Sequence, residues 1–227
     1  MQSDVVHLLR EFASERGMAA FGIADVVRLR ERAPEFEFAP VQFPRAIVLG
    51  VPLQDSVLES LEDRPTPLYF HHYRQANWAL DHAAFDLALK ISSLGARAMP
   101  IPASQVISTN PMRGHLSHRL LAWDAGLGWV GRSTLLVHPQ YGARMRYVSV
   151  LTDLDVPVGE PMTASCGACL RCISACPAKA IKQSSRQLNL NACFALLDGF
   201  RRLPFIGQHI CGLCVRACGG QDWPPAQ

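Results

Sequence analysis

The sequence predicts a layered α/β domain followed by a small module built on cysteines. Three observations carry this. Helix-period and strand-like segments alternate through about residue 155, the pattern of a layered α/β domain. All eight cysteines fall between Cys166 and Cys218, so the first two-thirds of the chain has none. The stretch DLDVPVGEPMTAS (153–165) separates the two compositions and reads as a linker. The expected domains are therefore 1–155 and 156–227.

The elements follow in order. Residues 4–16 set Val5, Leu8, Leu9 and Phe12 on one helical face, with Gly17 as the stop. MAAFGIADV reads as a short buried strand, and RAIVLGVPL (45–53) as a stronger one between Pro44 and Pro52. From Asn77 to Leu94 the pattern is helical, with Leu80, Leu87 and Ile91 on one face and Gly95 ending it. ARAMPIP is a strand, HLSHRLLAWDAG (115–126) a short helix, and TLLVH and ARMRYVSVLTDL are strands.

At 227 residues the chain holds one full core and a small appendage. Apolar residues at 49% against charged at 18% exclude a disordered chain. A net charge of +3 neither demands nor excludes nucleic acid. Asp4, Arg10 and Glu11 interrupt what would be the apolar core of a signal peptide. No apolar run approaches the ~20 residues of a membrane span. The expectation is a soluble cytoplasmic protein with no membrane partner, where eight cysteines do not pair as disulfides.

The sharpest signal is SCGACLRCISACPAKAI. Cys166, Cys169, Cys172, Cys176 and Pro177 spell C-x2-C-x2-C-x3-C-P, the bacterial two-cluster ferredoxin run. Three closely spaced cysteines wrap one iron–sulfur cubane, and the displaced fourth serves the other. Cys211, Cys214 and Cys218 form a second set, and Cys193 stands alone between them. Two [4Fe-4S] clusters then divide the whole inventory. Cluster 1 takes Cys166, Cys169, Cys172 and Cys218. Cluster 2 takes Cys176, Cys193, Cys211 and Cys214. Two zinc sites would use the same eight thiolates, but zinc ribbons space their pairs by roughly 15–20 residues. Gly219 stands where a proline usually follows the last cysteine.

DAGLGWVGRSTLL (124–136) contains G-x-G-x-x-G at Gly126, Gly128 and Gly131. A dinucleotide fingerprint follows a strand, opens a helix and has an acidic residue about 20 positions on. Here a helix precedes, a strand follows, and no acid lies between Asp124 and Asp153. The Rossmann reading fails. Two readings remain for the glycines: close approach to a flat ligand or a neighbouring domain, and a tight helix-to-strand connection with no ligand.

AGLGWVGRSTLL, YGARMR, VLTDL, CGACLRCISACPAKAI, the lone cysteine and CGLCVRAC together resemble the epoxyqueuosine reductases and, more distantly, the reductive dehalogenases. FPRAIVLGVPL and IPASQ extend the likeness more loosely. The resemblance implies a nitroreductase-like, cobalamin-binding domain joined to a two-[4Fe-4S] ferredoxin-like domain. It implies a cobalamin-dependent oxidoreductase, with low-potential electrons passing from the clusters to cobalt. FMN in place of cobalamin, and a ferredoxin-type electron carrier without its own substrate, are the alternative readings. The implied cofactor contacts are Ser104, Gln105, Gly126, Gly128, Gly131, Arg132, Ser133, Thr134, Tyr141 and Arg144. Gly131 to Thr134 match the family's G-K-N-T segment, with Arg132 for Lys and Ser133 for Asn as departures.

The implied partners are a donor protein of ferredoxin or flavodoxin type and a small-molecule or corrinoid substrate. The family carries an acidic proton donor upstream of A-G-L-G-W. Between Pro65 and Asp124 this chain has only Asp81 and Asp86, both in the long helix. The family's tRNA-binding repeats follow the ferredoxin region, whereas this sequence ends at Gln227, so tRNA is a secondary expectation and epoxyqueuosine reduction proper an alternative. Candidate proton donors are Tyr73, in a Tyr69–His71–His72–Tyr73 cluster ahead of the long helix, and His115 and His118, spaced i,i+3 on the short one. Arg144 and Arg146 alternate along a strand and should point to one side.

Overall fold

The computed structural model describes residues 2–32, 43–109 and 112–220. Its helices are α1 (Gln2–Glu15), α2 (Val26–Arg32), α3 (Asp55–Glu59), α4 (Pro67–Ser93), α5 (His118–Asp124), α6 (Arg171–Ser174), α7 (Leu190–Arg201) and α8 (Leu213–Arg216). Its strands are β1 (Ala20–Asp25), β2 (Arg45–Pro52), β3 (Ala98–Ile101), β4 (Ser108–Thr109), β5 (Met112–Arg113), β6 (Trp129–Val130), β7 (Leu136–Val137) and β8 (Met145–Thr152). The class is mixed α/β, as the alternation of elements predicts.

The chain divides into two units, and neither is continuous in sequence. The first comprises 1–51, 76–127 and 146–162; the second comprises 52–75, 128–145 and 163–227. The single cut expected near residue 155 thus falls close to the end of the first unit but misses two segments that pack with the cysteine module. Composition marks where the cysteines begin. It carries no signal for which upstream segments pack with them.

The first unit is built on a four-stranded sheet in the order β1-β2-β8-β3. β1 runs antiparallel to β2 with Gly22 opposite Val48, and β3 runs antiparallel to β8 with Met99 opposite Leu151. Side chains alternate across the pleat. Phe21, Ile23, Ile47, Leu49, Val148 and Val150 join Leu9 and Ala13 of α1 and Leu80, Leu87 and Ile91 of α4 in one core. The opposite face of β1 is covered by α5. There Gly22 is obligatory, because a Cβ would sit 2.9 Å from that of Ala125.

Two element boundaries differ from expectation, and one helix, α2, is not among those expected. α4 begins at Pro67, ten residues before Asn77, because Thr66 caps it: its Oγ1 accepts from Tyr69 N at 3.1 Å, and Pro67 fills the first helical position. Tyr69 to Tyr73 therefore lie inside the helix. α5 begins only after Ser117, whose hydroxyl accepts from Leu120 N at 3.3 Å. His115 thus lies outside it and shares no helical face with His118. α2 follows β1 directly because Asp25 Oδ1 accepts from the amides of Val27 and Arg28, both at 3.0 Å.

A buried ion pair ties this unit together. Asp124 is wholly buried and accepts from Arg28 Nε at 2.9 Å and from Asp25 N at 2.7 Å. Arg28 also reaches the Gly159 carbonyl at 2.7 Å and Glu160 at 2.8 Å. Its pKa is raised, first by the hydrogen bond to Asp124.

Candidate metal centre

All eight cysteines belong to the second unit and are free thiols. Two short helices position six of them. In the first run Cys169 precedes α6, Cys172 lies on it and Cys176 follows it; in the second Cys211, Cys214 and Cys218 take the same places around α8. The backbone repeats as well. Ala175 N bonds to Arg171 O at 2.9 Å and Cys176 N to Ile173 O at 3.2 Å, mirrored by Ala217 N to Leu213 O and Cys218 N to Val215 O, both at 3.1 Å. α6 packs directly on α8. Cys166 enters from the loop before α6, and Cys193 from α7, which Asn189 caps by accepting from Ala192 N at 3.0 Å.

The buried thiols feel their neighbours in two groups that meet at Cys172 and Cys214. Burial pushes Cys172 up to about 11, and Cys218, Cys166 and Cys169 add to it as like charges. Cys218 is raised by burial and by Cys166 and Cys169, against the opposing amides of Ala143 and Gly220. In the other set burial raises Cys211 to about 11, with Cys193 and Cys176 adding. Burial also raises Cys193, with Cys176 adding, and Cys214, with Cys211 and Cys193 adding; Cys214 additionally feels Cys172. Among the described residues, no three Cys, His, Asp or Glu side chains gather tightly enough to hold a single metal ion.

The segment 128–145 closes on these cysteines. Ala143 N donates to the Cys218 carbonyl at 3.1 Å. Gly142 has φ +61°, and a side chain there would strike the same carbonyl. β6 and β7 form a hairpin whose tip is Gly131–Leu135. That tip lies beside the first run: a Cβ on Gly131 would be 3.4 Å from Cys166 Sγ, though its clash would be with Val137 Cγ2 at 2.6 Å. Arg132, expected as a cofactor contact, instead donates to the carbonyls of Cys169 at 2.9 Å and Gly167 at 2.8 Å. Ser133 is buried, and Thr134 takes a positive φ of 61° at the closing position of the turn.

Tyr141 and Arg144 meet at a cavity of about 330 Å³, lined also by Gln54, Asp55, Gln140 and Gly219. Arg144 is buried and committed to the chain: it pairs with Asp55 at 2.5 Å and donates to the Arg216 carbonyl. Arg146 diverges from it, donating to Asn77 at 3.0 Å and the Ala103 carbonyl at 3.2 Å. The expected alternation fails because β8 starts at Met145. Arg144 belongs to the preceding turn, where its amide bonds to Tyr141 O at 3.1 Å.

Not every predicted residue lies in the cysteine unit. Ser104, Gln105, His115, His118 and Gly126 belong to the first unit, and Tyr73 to the second. Ser104 and Gln105 are exposed in the turn after β3. Both ring nitrogens of His118 are engaged, Nε2 with the Pro102 carbonyl and Nδ1 with Ser149 Oγ, each at 2.9 Å. A carbonyl only accepts, so Nε2 carries the proton and Nδ1 accepts from the serine. Burial pushes this histidine down to about 4, which keeps it neutral. It has no ring nitrogen to spare for a metal. Gly126 and Gly128 have reasons inside their own units, since side chains there would strike the carbonyls of Glu160 and Val137. Asp81 accepts from Ala103 N at 2.7 Å, and Asp86 pairs with Arg16 at 3.0 Å, so both helix acids serve the fold.

Sequence reasoning missed Asp55, Gly142 and the clamp by Arg132. Their partners lie 35 or more residues away, and no local pattern announces them.

No protein-family profile matches the chain. An epoxyqueuosine reductase from Bacillus anthracis is 28% identical over 155 residues, which is 63% of this chain and 40% of that protein. A solved epoxyqueuosine reductase, labelled with selenomethionine, superposes with a TM-score of 0.63 at 20% identity, over 96% of this chain and 66% of that one. The chain is a relative of the epoxyqueuosine reductases. It spans about 40% of the length of the Bacillus anthracis reductase. A reductive dehalogenase, whose structure is described as suggesting a mechanism for B12-dependent dehalogenation, shares the fold with a TM-score of 0.71 at 19% identity, over 92% of this chain and 30% of that one. Among the described residues, no helix is long and apolar enough to cross a membrane.

Proposed function

We propose that this relative of the epoxyqueuosine reductases is an iron–sulfur reductase that passes electrons through two [4Fe-4S] clusters to a bound corrinoid. The placing of the thiols around α6 and α8 supports the reading: Cys172 and Cys218 each lie within the influence of Cys166 and Cys169, and Cys193, Cys211 and Cys214 within that of Cys176, with Cys214 also close to Cys172. The run C-x2-C-x2-C-x3-C-P supports a cluster over zinc. A tetrahedral zinc needs four donors at about 2.3 Å, whereas a cubane holds its thiolates on separate irons and further apart.

When bound, the clusters supply one-electron carriers and the corrinoid a reducible cobalt. The chain's own residues do the rest. α6 and α8 present cysteines of both runs from one packed pair. Asn189 caps the helix that delivers Cys193. Gly142 and Ala143 meet the Cys218 carbonyl and hold the turn there. Kinship with the epoxyqueuosine reductases, and the fold shared with a reductase described as B12-dependent, support the corrinoid. Few of the expected contact residues do. Arg132 and Arg144 are bound within the chain, which leaves Tyr141 and its cavity beside Gly219 as the place most open to a cofactor group. The substrate class this kinship favours is an epoxide on a modified nucleoside of tRNA.

The test is anaerobic reconstitution with iron, sulfide and cobalamin, followed by gel filtration. About eight irons per chain with co-eluting corrin absorption supports the proposal. Zinc in place of iron overturns the cluster reading. Iron without corrin bands overturns the corrinoid and leaves an electron carrier.

A further inference from the structure

We propose that Arg132 tunes cluster 1, raising its reduction potential and pinning the loop that binds it. This rests on the cluster reading above. The Arg132 guanidinium makes two hydrogen bonds, to the carbonyls of Gly167 and Cys169, inside the Cys166–Cys169 loop. Those are peptide groups of a ligand and of its neighbour. The side chain thus places a full positive charge one peptide from two ligating positions.

Three features fix that charge in place. The hairpin is closed by Gly131 N to Leu135 O and Thr134 N to Gly131 O, both at 2.9 Å. Arg132 and Ser133 occupy the turn positions, and Thr134 holds the left-handed residue that such a turn requires. Gly131, lacking a side chain, lets the hairpin close beside Val137, whose Cγ2 would be 2.6 Å from a Cβ there. A guanidinium presents its donors in a rigid planar fork, so two carbonyls are held in register at once.

The consequence is electrostatic. Reduction adds one electron to the cluster from an external reductant, with no bond made or broken at Arg132, so the reduced cluster carries one more negative charge. A nearby fixed cation favours that state, since cluster potential follows local charge and hydrogen bonding. Cluster 2, whose ligands are Cys176, Cys193, Cys211 and Cys214, has no hydrogen bond to Arg132 within its loops and serves as the internal reference.

The experiment is a voltammetric redox titration of the reconstituted full chain as wild type, Arg132→Lys and Arg132→Met. A Cys193→Ser background assigns the two waves. In Arg132→Met the cluster 1 wave should move negative by about tenfold in its one-electron equilibrium, ~59 mV, while the cluster 2 wave stays. Arg132→Lys, which keeps the charge and loses the fork, should recover most of the shift. Loss of cluster 1 alone in Arg132→Met, with retention in Arg132→Lys, supports the pinning role. Unmoved waves, equal movement of both, or loss of both clusters overturns the proposal. Absence of iron from the wild type instead overturns the cluster reading on which it stands.

Discussion

The cysteine-bearing helices of the second unit are held differently from the helices of the first. In the first, α1 and α4 bury Leu9, Leu80, Leu87 and Ile91 against a sheet, and each such side chain contributes ~1.5–3 kcal/mol. In the second, α6 and α7 bury no residue at all, and α8 buries only Leu213. That unit has its own apolar core in Leu58, Leu61, Leu136, Val137 and Ile206, and adds to it paired cysteine turns, Arg132 and Arg144 gripping carbonyls, and glycines that let backbone meet backbone. The first unit folds by removing apolar surface from water. On the proposed reading the second buries apolar surface too and is completed by thiolate ligation, so part of its folding free energy would be tied to the clusters.

That contrast predicts separable responses. The largest effect should come from chelating the iron. Amide exchange across 163–220 should accelerate at least about ten-thousandfold, roughly 5.5 kcal/mol, while β1, β2, β8 and the second half of α4 keep their protection. Equal loss in both units, read by mass spectrometry, would dissolve the distinction. Next, Asp124→Ala strips the carboxylate from the buried Arg28. It should cost the first unit about 3–5 kcal/mol and leave the iron content of the soluble fraction unchanged.

The smallest effect is a pH dependence. His118 sits at about 4 in the folded chain, below its ordinary 6.5. The unfolded chain therefore binds the proton more readily, and the stability this histidine contributes is intact above 6.5 and lost as pH falls toward 4. Discounted for its partial exposure, that amounts to roughly 2–3 kcal/mol. Urea melts of wild type and His118→Gln at pH 7 and pH 4.5 should show the wild type losing more; identical slopes would remove His118 from the account.

The sequence made the sheet strands legible because each is an apolar run between turn residues, as in RAIVLGVPL for β2. It made the cysteine sets legible because ligand spacing is a local property. It hid what depends on distant partners. The start of α4 was obscured because the apolar periodicity strengthens only after Asn77, although Thr66-Pro67 was a readable cap. The membership of 52–75 and 128–145 in the cysteine unit had no compositional mark. Arg132 and Arg144 looked like groups awaiting a ligand, yet each satisfies carbonyls of its own chain 35 and 72 residues on. An arginine's partner is set by tertiary geometry, which spacing does not encode.

The account turns on clusters shared crosswise between the two cysteine runs. The most direct measurement is the iron content and low-temperature EPR of the double variant Cys176→Ser/Cys211→Ser. Crosswise sharing removes both ligands from one cluster, so about four irons and one unaltered cluster signal should remain. If each run instead serves its own cluster, both signals will be altered together, and the account fails.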